Sequence, residues 1–323
     1  DQRGLGLDLL ADLIVRPRLD GDGFPMEVFE REREQTANAI RALRDDKGEY
    51  AMERAIACAC EGEPMAMPEY GSLDDVVGMQ RTDPELVRRD FLSKGRMWMI
   101  ALGDLPAPEA LEARVDEFLG QLPERDPEIV PKPVVVAPRP PRRTIEHTQL
   151  RQSKLVMVFR APDVTAPSAR AGRNLFLSMF GGGPNSRLFV EVREKRSLAY
   201  YASAGFDRHK GLMFVSVGLD ASSAAEAEAE ILRQFDEVQS GRCEPRELET
   251  ARRIMLSTLQ SVDDSIPARM RFTNDQWLTG TDRTPAQVAD LCSKATMEDV
   301  IAGGAGIWLD HSYLLSDGTE GEA

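Results

Sequence analysis

The sequence predicts an α+β protein of layered sheet and helices, and three observations lead there. Short apolar runs of strand length are interspersed with longer segments whose apolar residues recur at helical spacing. In the second half several such runs precede a series of long helices, which suggests a sheet with helices packed on one face. Seven prolines between Pro123 and Pro141 divide the 323 residues, in keeping with about two domains of ordinary size.

From Gly4 to Val15 the apolar residues Leu5, Leu7, Leu9, Leu10, Leu13 and Ile14 predict a mostly buried helix, ended at Arg16-Pro17 because the residue before a proline disfavours helix. Pro25 to Leu43 is a second helix, with proline in its first turn and Val28, Phe29, Thr36, Ala39, Ile40 and Leu43 at near-helical spacing. Asp45-Asp46-Lys47-Gly48 interrupts it, and Tyr50 to Cys60 resumes helix. A helix over Pro84–Phe91, a buried strand over Arg96–Leu102 and a helix over Glu109–Leu119 complete the first part. The proline-rich stretch reads as a semi-rigid linker, since such segments favour extended conformations, with Val134-Val135-Val136 as an edge strand inside it.

The second part opens with strands over Arg143–Leu150 and Leu155–Phe159, then a helix over Pro167–Phe180 and the redirecting triplet Gly181-Gly182-Gly183. A short helix from Ser186 to Lys195 leads to strands over Leu198–Gly205 and Leu212–Leu219. Helices over Ser223–Ser240, Glu244–Val262 and Ala268–Leu278 follow, with a last strand over Ile307–Leu315.

Composition excludes several classes. Forty basic against 54 acidic residues give a net charge of −14, which argues against a general affinity for nucleic acid or anionic membranes. Residues 1–140 carry −11 of it and residues 141–323 only −3. No apolar run approaches the roughly 20 residues of a membrane helix. No basic-then-apolar leader opens the chain at Asp1, and the four cysteines are too scattered for a disulfide framework, so a reducing, cytoplasmic setting is expected. Cys58 and Cys60 are expected to be buried structural thiols.

Familiar catalytic constellations are missing. His147, His209 and His311 are isolated from one another, so the paired histidines of a helix-borne zinc site are absent. The glycine triplet lacks the lysine of a phosphate loop, and no nucleophile elbow occurs. Glu27, Glu30, Glu32 and Glu34 alternate with Arg31 and Arg33, a solvated ion-paired face rather than a cation site.

The informative stretch is Ser186-Arg187-Leu188-Phe189, then Arg193-Glu194, then Tyr200 seven residues after the arginine. It resembles the second-domain signature of insulinase/pitrilysin-type zinc peptidases. Gly181 to Phe189, Ser197 to Ser203, Lys210-Gly211-Leu212 and, in the first part, Asp45-Asp46-Lys47, Tyr50-Ala51, Glu61 to Pro64 and Gly103-Asp104 are similar to the YmfF-like, zinc-free branch of that family.

The resemblance implies a duplicated α/β domain, each copy a mostly antiparallel sheet with helices on one face. The copies fall at 1–123, lacking its beginning, and 143–323, joined by a linker at 124–142. It also implies what the chain cannot do. Active members carry His-x-x-Glu-His and a later zinc-ligating Glu, and the Glu30-Arg31-Glu32-Arg33 run places that third position at Ala39, whose methyl group cannot ligate zinc. The family's substrate-binding pair maps instead onto Arg193 and Tyr200, both present.

The reading is a non-catalytic subunit, inactive alone, that supplies Arg193 and Tyr200 in trans to a zinc-bearing insulinase-type partner cleaving peptides. No metal or cofactor is expected on this chain, and Arg187, Lys195 and Arg196 are expected to face the peptide with Arg193. The alternatives are a zinc-free scaffold or binding protein on a peptidase fold, and an active zinc peptidase whose His-x-x-Glu-His segment lies outside this sequence.

Overall fold

The computed structural model of the chain describes residues 2–126 and 136–318. They fall into two compact units, one made of the described residues within 1–42 and 69–132, the other of those within 43–68 and 133–323. The division differs from a linear cut at the proline-rich stretch, because one helix of the first half belongs to the second unit.

Twelve α-helices are present among the described residues. The first unit holds α1 (Gln2–Ile14), α2 (Met26–Leu43), α4 (Leu73–Gly78), α5 (Asp83–Lys94) and α6 (Pro108–Leu119); α3 (Lys47–Ala59) lies in the second. A small core of Ala11, Phe29, Ala37, Val76, Leu92 and Phe118 supports the first unit. Arginines tie its loops: Arg88 donates to the Ile14 carbonyl (2.6 Å) and Arg81 to those of Asp20 and Phe24 (2.6 and 3.2 Å). Glu85 is buried and accepts from Arg88 and Arg89, whose hydrogen bonds hold its carboxyl below the usual range against the opposing effect of burial.

Two expectations fail here. The first helix is not mostly buried: Leu9, Leu10, Leu13 and Ile14 are exposed, and among its described side chains only Ala11 is enclosed. The strand expected over Arg96–Leu102 does not form; this segment is irregular and Trp98 is partly exposed at 43%. A strand needs a neighbour to satisfy its backbone groups, and the first unit's described residues contain no ladder for it to join. Of the edge strand expected at Val134-Val135-Val136, Val134 and Val135 lie outside the described residues.

The second unit is a five-stranded, mostly antiparallel sheet. Its strands are β1 (Arg142–His147), β2 (Ser153–Arg160), β3 (Tyr201–Asp207), β4 (Leu212–Leu219) and β5 (Trp308–Ser316), in the order β1-β5-β2-β4-β3. Only β1–β5 is parallel. The last strand therefore enters between the first two, separating β1 from β2, which are neighbours in sequence only.

On one face lie α7 (Pro167–Gly181), α8 (Ala224–Gln239), α9 (Pro245–Gln260), α10 (Ile266–Leu278), α11 (Pro285–Lys294) and α12 (Met297–Gly304), of which α11 and α12 were not anticipated. Leu155, Met157 and Phe159 of β2 point into this core, with Met213, Val215 and Val217 of β4. Phe159, Phe176, Phe180 and Phe235 interlock there at centroid separations of 4.8–6.1 Å.

The opposite face is covered as well. Val156 and Val158, the alternate residues of β2, pack with Tyr313 and Leu315 against Ala51, Ala55, Ala59 and Cys60 of α3 and its end. Alanines every four residues make one smooth helix face that can sit close to the sheet. Asp46 starts this helix by accepting from the Gly48 and Glu49 amides, both at 3.0 Å.

Candidate functional site

Ser186 to Ser203 is organised as a wide helical segment, a reversal and a strand. Leu188–Lys195 is π-helical, a form found mostly as single turns and frequently at functional sites. Leu188 and Val192, four apart, anchor it in the main core. The Leu198 amide then bonds the Val192 carbonyl (3.0 Å) and the Ser197 amide that of Arg193 (3.1 Å). This is the double closure of a Schellman ending with each loop enlarged by one residue, as the wider π turn requires.

Such a reversal needs a left-handed residue, and Ser197 supplies it with φ 54°, the one non-glycine of positive φ among the described residues. Leu198 and Ala199 then turn into the core, while Tyr200 emerges at the edge of the sheet with its amide bonded to the Gly218 carbonyl at 2.8 Å.

Arg193 leaves this scaffold on its outer side. Its guanidinium sits over the Phe189 ring, 4.6 Å from the centroid, and 3.7 Å from Glu194, with 40% of the side chain exposed. Tyr200 is 55% exposed, and its hydroxyl donates to Asp220, whose two carboxylate oxygens lie 3.0 and 3.2 Å away. That carboxylate raises the phenol above its ordinary value, first through the hydrogen bond and then through its charge. Both side chains thus lie on the surface of one unit with fixed backbones and different partners.

Of the other cations expected at this surface, Arg187 is turned inward, while Lys195 and Arg196 stay exposed and ion-paired. Arg187 is nearly enclosed: it donates two bonds to Glu247 (2.7 and 2.9 Å), one to Gln234 (3.1 Å) and one to the Arg242 carbonyl (2.9 Å), and pairs with Glu237. Burial opposes ionisation of Glu247, yet Arg187 and the Glu244 amide hold its carboxyl below the usual range. Arg187 therefore fastens the start of the π-helical segment to α8 and α9 and has no donor to offer a ligand on the scale of its internal bonds. Lys195 pairs with Glu191 (2.7 Å) and Arg196 with the buried Glu230 (3.3 Å). Asp220 carried no signal in the sequence, because its role depends on two strand ends meeting.

Ala39 is a half-buried residue of α2, in the first unit. Among the described residues no group of three His, Cys, Asp or Glu side chains is arranged to hold a metal ion. His311 lies buried in β5 with its Nε2 3.0 Å from the Thr144 hydroxyl, and His209 faces Asp275 at 2.9 Å. Of the thiols, Cys60 is buried, and burial pushes it up to about 11, while Cys58 is only half-buried.

Residues 87–255 match the family model described as the peptidase M16 inactive domain. Over 98% of its length the chain is 26% identical to the probable inactive metalloprotease YmfF of Bacillus subtilis, covering 74% of that protein. It is 30% identical over 63% of its length to an uncharacterized zinc protease of Mycobacterium tuberculosis, covering 45% of that one. A crystal structure of a conserved protein from Enterococcus faecalis superposes with a TM-score of 0.87 at 22% identity, over 99% of this chain and 75% of the other.

Proposed function

Because the chain belongs to the peptidase M16 inactive-domain family, we propose that it is the non-catalytic subunit of a zinc peptidase assembly and presents Arg193 and Tyr200 to peptides that a zinc-bearing partner cleaves. The observation that carries this reading is that Arg193 and Tyr200 both stand exposed on a backbone fixed by the π-helical turn and by Ser197. Of the other signature cations, Arg187 is consumed by internal bonds, while Lys195 and Arg196, also exposed, are paired with Glu191 and Glu230.

A guanidinium offers several donors in a rigid fork, suited to the backbone carbonyls or carboxylates of a peptide. The zinc-bearing partner would supply the activated water, and this chain would supply binding and orientation. Holding a peptide in register is itself a large part of hydrolytic rate acceleration. The four free cysteines suit a reducing, cytoplasmic setting. No helix among the described residues is long and apolar enough to cross a membrane.

The test is purification with the zinc-bearing subunit and assay of fluorogenic peptide cleavage by Arg193→Ala and Tyr200→Phe complexes. Loss of one well-placed polar contact lowers turnover on the order of 100-fold. Unchanged cleavage with the complex intact overturns the reading, and favours a scaffold that uses the fold without chemistry.

A further inference from the structure

Tyr200 and Asp220 close the two ends of neighbouring strands: Tyr200 precedes β3, and Asp220 follows β4. Asp220 occupies the N-cap of the short 3-10 turn Ala221–Ser223, a position where an aspartate side chain ordinarily accepts from the backbone. Here it makes no such bond, although its carbonyl accepts from the Ser223 amide at 2.9 Å. Its carboxylate faces the Tyr200 hydroxyl instead, with both oxygens in reach.

A phenol has one proton and two lone pairs, and an ionised carboxylate can only accept. The single Tyr200 proton is therefore committed to Asp220, and the side of the oxygen turned to solvent carries lone pairs. We propose that Asp220 is a positioning residue that fixes the polarity of Tyr200, making it an acceptor for a backbone N–H of the bound peptide rather than a donor to a carbonyl. The raised phenol value agrees, since a Tyr200 that holds its proton keeps donating it to Asp220. The proposal rests on the reading that a peptide binds at Tyr200 and adds the chemistry it meets there: Arg193 takes an oxygen and Tyr200 takes an N–H.

Two measurements on the assembly of this chain with its zinc-bearing subunit test it. In the first, tyrosine ring-carbon NMR follows the phenol of Tyr200, identified by its absence in Tyr200→Phe. Titration above the ordinary tyrosine value and its fall in Asp220→Asn support the hydrogen bond; an identical titration in both overturns the proposal. In the second, fluorescence anisotropy measures binding of a fluorescein-labelled twelve-residue peptide of repeating Ala-Leu-Gly-Ser and of its single amide-to-ester replacements, which each delete one N–H.

One ester is expected to bind roughly tenfold more weakly than the parent; that difference is expected to vanish in Tyr200→Phe, to shrink in Asp220→Asn, whose amide can donate to the phenol as well as accept from it, and to return in Asp220→Glu. If Tyr200→Phe weakens the parent peptide but no ester distinguishes it from the unaltered protein, the polarity assignment is wrong while peptide binding at Tyr200 stands. If Tyr200→Phe leaves binding unchanged, or the unaltered assembly binds no peptide, the functional reading fails, and this proposal with it.

Discussion

Arg160 Nε lies 2.9 Å from Asp310 Oδ2, a pairing between adjacent strands β2 and β5 on which the α3 face of the sheet is organised. The same guanidinium grips Glu63 with two bonds (2.6 and 3.0 Å) and donates to the Ala59 carbonyl at 2.8 Å. Arg142 adds a bond to that carbonyl (2.9 Å), and Arg139 clasps the far side of Asp310 (2.8 and 3.1 Å). Cations thus converge on the negative end of α3 and on a fully buried carboxylate. Burial opposes ionisation of Asp310, but Arg139 and Arg160 hold it below the usual carboxylate range.

Removing the acid leaves the enclosed Arg160 with half its compensation. Asp310→Ala is expected to cost about 3–5 kcal/mol, the range for breaking a buried ion pair from one side. Urea denaturation measures it, and a loss within 1 kcal/mol contradicts this account of how α3 is held.

Gly172 of α7 and Gly303 of α12 mark a second constraint. A Cβ on Gly172 would stand 1.9 Å from the Asp299 carbonyl oxygen, and one on Gly303 2.3 Å from the Arg173 amide nitrogen. Neither obstacle is a side chain that can swing aside. Gly172→Ala is expected to destabilise by about 2–3 kcal/mol through overpacking, visible as a lower urea midpoint.

The sequence carried the second unit better than the first, for a physical reason. The period-two pattern of Leu212 to Leu219 and the amphipathic spacing in α8 and α9 are local signals, and these elements formed within a few residues of their expected bounds. Arg96–Leu102 has an equally apolar run, but a strand exists only with a paired neighbour, which no local pattern reveals. The same limit hid the packing of α3 on the sheet, since the alanine stripe of Ala51, Ala55 and Ala59 does not say which surface it meets. At the candidate site the motif identified Arg193 and Tyr200 as residues to inspect. It could not separate exposed Arg193 from enclosed Arg187, because that distinction lies with Glu237 and Glu247, some 50 and 60 residues further along.

Ser197 tests whether backbone strain at the reversal positions Tyr200. A left-handed conformation costs an L-residue about 1–2 kcal/mol, and more if it is β-branched. Ser197→Gly is expected to leave stability within about 0.5 kcal/mol, relief of strain being offset by the greater freedom of the unfolded glycine. Ser197→Val is expected to destabilise by about 1–2 kcal/mol and to weaken peptide binding beyond that of Ser197→Gly. Equal binding by both variants shows that the reversal does not control Tyr200.

His311 sets a pH dependence of its own. Burial, then the charge of Arg142, holds it below the ordinary histidine value despite the opposing carboxylate of Asp310, and Arg139 acts in the same direction as Arg142. Its Nδ1 is enclosed without a hydrogen-bond partner, so a second proton on the ring finds no acceptor there. The unfolded chain therefore binds this proton more readily than the folded one. The stability that follows is complete above about pH 6.5 and is lost as the pH falls through the lowered folded value. Asp310 and Glu146, both held below their ordinary values, lose their contributions only in the more acid range of carboxylates. Urea midpoints measured from about pH 7 to pH 5 are expected to decline in the unaltered protein and to flatten in His311→Gln, whose amide keeps a polar group near Thr144 without titrating. A decline of the same slope in both shows that His311 does not set the pH dependence.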